Sequence, residues 1–247
     1  MPINWEGLKE REKLYLFAAE LLAKQGKIGK VIDIASGDGA GTAQIARAFP
    51  QADVFGLDSD EPLIERAREK FGRVNLRFIL GDARRTEFAD DYFDALISFH
   101  TIEHFSEEDQ VGFFKELKRI LKPGGLLIIC TPDREVWEIQ EIAGTQKDHI
   151  KELDQREFIS LTSRFFSVKG VFGQGMLKGK MSRIKKIINI AKKLDIFKLR
   201  KKLHKNLTDK INVSTQPIEL DFSVKPMEAG KASIVVLVGE KTPHTYE

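Results

Sequence analysis

Three groups of residues have the types and spacing that chemistry needs. The first is the turn in DIASGDGAGT, where Gly37, Gly39 and Gly41 stand between an apolar run and an amphipathic one. Missing side chains there let a ligand approach the backbone and the start of a helix. The second is a series of acids: Asp33 before the turn, Asp58 at the end of ADVFGLD, and Asp82 in the GD pair after NLRFIL. A carboxylate placed like Asp58 can accept hydrogen bonds from both hydroxyls of a ribose. A nicotinamide-binding turn would favour glycine or alanine where Thr42 stands, and it would not need Asp33. The third group is rich in imidazole, with His100 and His104 flanking Glu103 in SFHTIEHF and His149 in DHIKEL. Histidine is suited to moving a proton near neutral pH, so His149, His100 and His104 are the candidate catalytic residues.

If residues 100–104 turn helical, their i, i+3, i+4 spacing puts His100, Glu103 and His104 on one face. HTIEH also satisfies the H-x-x-E-H pattern of a zinc protease. Such a motif lies within a long helix, whereas this one begins where a strand ends, and the context rejects it. No metal ligand is assigned; whether His100, Glu103 and His104 hold an ion stays open.

The elements that must position these residues follow from the pattern of apolar side chains. Residues 8–25 read as an amphipathic helix through Leu14, Phe17, Ala18 and Leu22. KVIDIAS, ADVFGLD, NLRFIL, FDALISF and GLLIICT read as short strands. Between them lie helices through Ala43–Phe49, through EPLIERAREKF with Pro62 in its first turn, and through SEEDQVGFFKELKRIL with Ser106 as its cap. KPGG reads as a turn before the fifth strand. A helix around Gln155–Phe165, a strand around Val168–Phe172 and a last strand SIVVLVGE complete the series. Strands alternating with helices predict an α/β fold, a doubly wound, Rossmann-like sheet covered on both faces.

In that register the chain resembles the class I S-adenosylmethionine-dependent methyltransferases, from about Arg11 to Gln174 and again at the final strand. VIDIASGDGAGT resembles the family's first motif, VFGLDSD its ribose-binding acid, GDARRTEFADDYFDALISF its adenine-binding region and LKRILKPGGLLIICTP its fifth-strand signature. The resemblance implies a seven-stranded sheet, mostly parallel with an antiparallel last strand. It implies S-adenosyl-L-methionine as cofactor, with S-adenosyl-L-homocysteine as product. Gly37 and Gly39 would face the cofactor's amino-acid part, Asp58 its ribose, and Asp82 with Ala83 its adenine; Asp33, Ser36, Ser59 and Phe99 complete the expected set. SFHTIEHF, TPD, DHIKEL and VFGQ together look like a bacterial subgroup associated with cell-surface polysaccharides, which usually has Glu where this chain has His100. The expected activity is methylation, at oxygen, of a small, sugar or lipid-linked acceptor. An RNA methyltransferase and a non-catalytic cofactor-binding interaction protein are the alternatives.

Charge is strongly segregated. Thirteen basic and two acidic residues fall between Met176 and Lys210, so this stretch carries +11 and the remainder −8 of the total +3. Ile184, Ile187, Ile188, Ala191 and Leu194 form an apolar stripe within it. The stretch 176–210 is expected to be a basic helical insertion, a cap or a dock on an anionic membrane, flanked by a methyltransferase domain at 1–175 and 211–247. Nucleic acid ranks below a membrane as its partner. At 247 residues the chain can bury roughly 70–75% of its unfolded surface and needs no disulfide. The lone Cys130, in LLIIC, is expected in the core, which with the absence of a recognisable leader or membrane-spanning run points to a cytoplasmic setting, with peripheral membrane contact.

Overall fold

The computed structural model describes residues 9–134, 149–176, 225–226 and 232–242. The expected basic segment lies outside the described residues beyond Met176. In chain order the elements are α1 (Glu10–Lys24), β1 (Lys30–Ile34), α2 (Ala40–Ala48), β2 (Asp53–Asp58), α3 (Glu61–Lys70), β3 (Leu76–Leu80) and β4 (Phe93–Phe99). A 3-10 turn (Ile102–His104), α4 (Glu107–Ile120), β5 (Leu121–Pro132), α5 (Gln155–Ser163), β6 (Ser167–Met176), β7 (Lys225–Pro226) and β8 (Ala232–Glu240) follow.

The strands form one sheet in the order β3-β2-β1-β4-β5-β8-β6-β7. β1 to β5 run parallel, and β8 inserts antiparallel between β5 and β6. The seven expected strands are therefore present, with the two-residue β7 added at the edge. The order reverses between β1 and β4, where an open sheet of this kind binds ligands beyond the carboxyl ends of its strands.

Alternate strand residues supply two cores. Val31, Val54, Ala95, Ile97 and Ile128 pack beneath α1, α2 and α3, whereas Ile32, Ile34, Leu96, Leu127 and Ile129 face Phe113, Phe114 and Leu117 of α4. Burial on both faces explains why these strands read as continuous apolar runs. Cys130 is fully buried in the first core, as expected.

Local signals set several boundaries. Asp60 caps α3 by accepting from the Leu63 N–H, and Ser106 caps α4 by accepting from the Asp109 N–H. The expected KPGG turn is instead an irregularity inside β5: pairing jumps from Phe93↔Leu121 to Ala95↔Leu126, with Gly124 at φ 75°. Gln174, in the VFGQ motif, donates to the Glu10 carbonyl at 2.9 Å and ties β6 to the start of α1. No helix among the described residues is long and apolar enough to cross a membrane.

Candidate functional site

A cavity of about 680 Å³ opens at the carboxyl ends of β1, β2, β3 and β4. Its wall includes Gly37 after β1, Asp58 and Ser59 at the end of β2, Asp82 and Ala83 after β3, and Phe99 with His100 at the end of β4. Two non-glycine residues on that wall, Ala35 and His100, hold left-handed backbone at φ 60° and 56°. Such strain, of order 1–3 kcal/mol per residue, persists where the surrounding structure over-determines it, and it clusters at functional sites.

The glycine turn is shaped by three different demands. Gly37, at φ 59°, lines the cavity, and a Cβ there would stand 3.0 Å from the Arg11 guanidinium. Its N–H donates to Asp58 Oδ2 at 2.7 Å, which fixes the carboxylate against the turn. Gly39 starts α2 in left-handed backbone, yet a Cβ there would meet the Phe78 ring at 2.6 Å, so it serves close packing instead of facing the cavity as expected. Gly41 is filled by the ring of Tyr15, 2.0 Å from where its Cβ would be.

Asp33 and Ser36 also stand behind the cavity wall. Asp33 is buried and accepts hydrogen bonds from Tyr15 Oη at 2.9 Å and Thr42 Oγ1 at 2.6 Å. Burial outweighs both donors and pushes its carboxyl up to about 6. The acid thus clamps α1 and α2 onto β1. Ser36 is fully buried; its N–H donates to the Leu57 carbonyl, and its own carbonyl accepts from Arg11 Nη2 at 3.0 Å.

Asp82 is exposed and engaged. Arg84 grips its carboxylate, with Nη2 2.7 Å from Oδ2 and Nε 3.0 Å from Oδ1, and holds it below the usual carboxylate range. Arg84 also pairs with Asp109 at 3.1 Å and stands over the Phe105 ring, closing that end of the cavity.

On the opposite side the expected helical face does not form. β4 ends at Phe99 and His100 takes the left-handed backbone, so the 3-10 turn starts two residues later and the three residues do not share one helical face. Glu103 turns fully inward, while His100 and the exposed His104 both line the cavity. Thr131 Oγ1 donates to Glu103 Oε2 at 3.1 Å, and His100 Nδ1 lies 3.4 Å from Glu103 Oε1. Burial opposes the charged form of His100, but the Cys130 sulfur and the Glu103 carboxylate outweigh it and raise the imidazole. His149 lies beside this turn, its Nδ1 against Glu152 Oε1 and its ring edge-on to His104 at 5.1 Å between centroids.

His149 is brought there by backbone pairing. The Glu103 carbonyl accepts from the N–H groups of Ile150 and Lys151, and the buried amide of Gln110 donates to the carbonyls of Ile102 and Lys151. One potential ligand atom each from Glu103, His104 and His149 lies within 4.8 Å of the others.

Arg11, Tyr15, Arg84 and Gln110 are the functional or supporting residues that the sequence reading passes over. Tyr15 had a signal, since it follows Leu14 on the apolar stripe and a strand carboxylate such as Asp33 needs buried donors. Nothing local marks Gln110, whose partners lie up to 41 residues away.

Residues 31–125 match a family model described as a methyltransferase domain. Phthiotriol/phenolphthiotriol dimycocerosates methyltransferase 1 of Mycobacterium ulcerans is 28% identical over 164 residues, covering 64% of this chain and 56% of that protein. A fatty-acid O-methyltransferase of Mycolicibacterium smegmatis is 31% identical over 129 residues, covering 52% and 45%. The chain spans about half the length of the curated relatives it matches. The fold matches the crystal structure of a SAM-dependent methyltransferase of Thermotoga maritima, with TM-score 0.60, 19% identity and coverage of 94% and 92%.

Proposed function

We propose that this chain, which carries a methyltransferase domain on the class I S-adenosylmethionine-dependent fold, methylates an oxygen of a small, sugar or lipid-linked acceptor. The observation that carries the reading is the cavity itself, which joins the Gly37–Asp58 turn on one side to His100 on the other.

The residues present fit S-adenosylmethionine. The cavity is within the usual range of about 300–1,000 Å³ for small-molecule sites. The absent Cβ of Gly37 leaves a cradle beneath Arg11, whose cation suits a carboxylate. Each Asp58 oxygen already accepts one backbone N–H, from Gly37 or Asp60, and a carboxylate oxygen has a further lone pair for a ribose hydroxyl. When bound, the cofactor supplies a methyl group on a sulfonium centre that is already activated. The protein's remaining task is to hold the acceptor oxygen in line and settle its proton. His100 stands on the cavity wall beside Glu103: its neutral ring can accept the proton of a hydroxyl acceptor, whereas an acceptor that arrives ionised, such as a carboxylate, needs only a hydrogen bond from the ring. Phe99 and Ala83 exclude water along the apolar wall.

Relatives named for a fatty acid and for dimycocerosates support a lipid-linked oxygen as acceptor. The stretch 176–210 would then be an insertion in a domain formed by 1–175 and 211–247, serving either as a cap or, through its +11 charge, as a dock on an anionic surface.

The test is transfer of label from methyl-labelled cofactor to a panel of carboxylate, sugar, lipid-linked and RNA acceptors, the lipids in anionic vesicles at low and high salt. Label should enter an oxygen acceptor with matching S-adenosylhomocysteine, and vesicle-borne transfer should weaken as salt shortens the Debye length from about 10 Å towards 3 Å. Label in RNA alone would favour the nucleic-acid reading. Cofactor binding without transfer to any acceptor would favour a non-catalytic protein.

A further inference from the structure

We propose that Glu103, His104 and His149 form a binding site for one divalent transition-metal ion on the acceptor side of the cavity. The proposal stands on the geometry of these residues and does not require methyl transfer.

The ligand atoms lie within 4.8 Å of one another, and side-chain rotation can bring them to the separation of about 3.4 Å that tetrahedral coordination at about 2.0–2.1 Å demands. Two imidazoles and one carboxylate form a donor set suited to zinc, cobalt, nickel or iron, and poorly suited to magnesium or calcium.

Three further features point to a built site. Glu103 is fully buried, and its Oε1 has no hydrogen bond among the described residues; the 3.4 Å approach of His100 Nδ1 is not aligned as one. A buried carboxylate oxygen with no donor has a lone pair left for a ligand. The carboxylate and one imidazole each have an outer partner: Thr131 donates to Glu103 Oε2, and Glu152 stands against His149 Nδ1. A carboxylate on one ring nitrogen fixes the orientation of a histidine that ligates through the other. Finally, Gln110 and the Glu103 carbonyl hold the 149–151 segment against the 3-10 turn, so the ligands are fixed relative to one another by backbone contacts.

The site differs from the i, i+3, i+4 set read in the sequence. His100 has turned onto the cavity wall, and His149 takes its place. His104 both belongs to the group and lines the cavity, so an ion held by three protein ligands keeps an open position towards the space where an acceptor's oxygen would enter.

The full chain, stripped with a chelator and then dialysed, should bind one equivalent of Co²⁺ or Zn²⁺ in calorimetry, and the Co²⁺ form should show visible d–d absorption. His104→Ala and His149→Ala should each lose that spectrum and bind at least about 100-fold more weakly. Glu152→Gln should weaken binding by roughly 10–100-fold, the effect of removing an outer partner. His104 is exposed, so its variant keeps the test valid if Glu103→Gln does not fold. No uptake by the wild type at millimolar metal would overturn the proposal. Equal uptake by wild type, His104→Ala and His149→Ala would also overturn it, by placing the ion elsewhere.

Discussion

The two ends of the cavity are built in different ways. The glycine-turn end comes from short-range sequence: β1, its turn and α2 are contiguous, and Asp58 closes on Gly37 from the neighbouring strand. Its tolerances are steric, since glycines at 39 and 41 leave room for Phe78 and Tyr15 and nothing larger than hydrogen fits. The histidine end is assembled from distant pieces, the end of β4, the 3-10 turn and residues 149–152, joined by hydrogen bonds to a few carbonyls. The first end combines close packing with hydrogen bonds to Asp33 and Asp58, whereas the second relies on polar contacts between distant segments. The first suits a cofactor that stays the same, and the second suits an acceptor that differs among related chains.

The comparison predicts separable effects, and the largest is at the histidine end. Asparagine tolerates left-handed backbone, so His100→Asn should keep the fold while removing the imidazole. Single-turnover rates should fall roughly 10²–10⁴-fold with cofactor affinity unchanged. An unchanged rate would remove His100 from the chemistry and leave positioning alone.

The next effect concerns the packing that supports the glycine turn. Asp33 is raised from 3.8 to about 6 by burial, so between those values the native state holds a proton that the unfolded chain has released. Stability from this group is therefore greatest at low pH and is lost as pH rises through that window, by roughly 3 kcal/mol in total. Asp33→Asn carries no such charge. Urea unfolding at pH 4 and pH 7 should show the variant gaining on the wild type by about that amount as pH rises. A gap that stays constant with pH would mean Asp33 ionises freely in the fold.

The same contrast explains what the sequence made legible. Strands β1, β2, β4 and β5 were readable because two-sided burial leaves continuous apolar runs, and α3 and α4 because Pro62 and Ser106 mark their starts. Gly37, Asp58, Ser59, Asp82, Ala83 and Phe99 could be placed on the cavity from motif order alone. Gly39 could not be told from them, since a glycine needed for Phe78 looks the same in sequence as one needed for a ligand. The histidine end was legible in part: His100 and His104 both line the cavity, but nothing in the letter His at position 100 announces φ 56°, which keeps it off a helical face shared with Glu103 and His104. His149 was found as a residue but not as a neighbour of Glu103, because Gln110 makes that connection through main-chain carbonyls.

The measurement that bears most directly on the account is calorimetry of the full chain with S-adenosylhomocysteine and with NAD, repeated on Asp58→Ala. The account predicts saturable one-to-one binding of S-adenosylhomocysteine, weak or absent heat with NAD, and a loss of about 1.5–3 kcal/mol in the variant for each charge-assisted hydrogen bond removed. Tight NAD binding with no response to S-adenosylhomocysteine would contradict it.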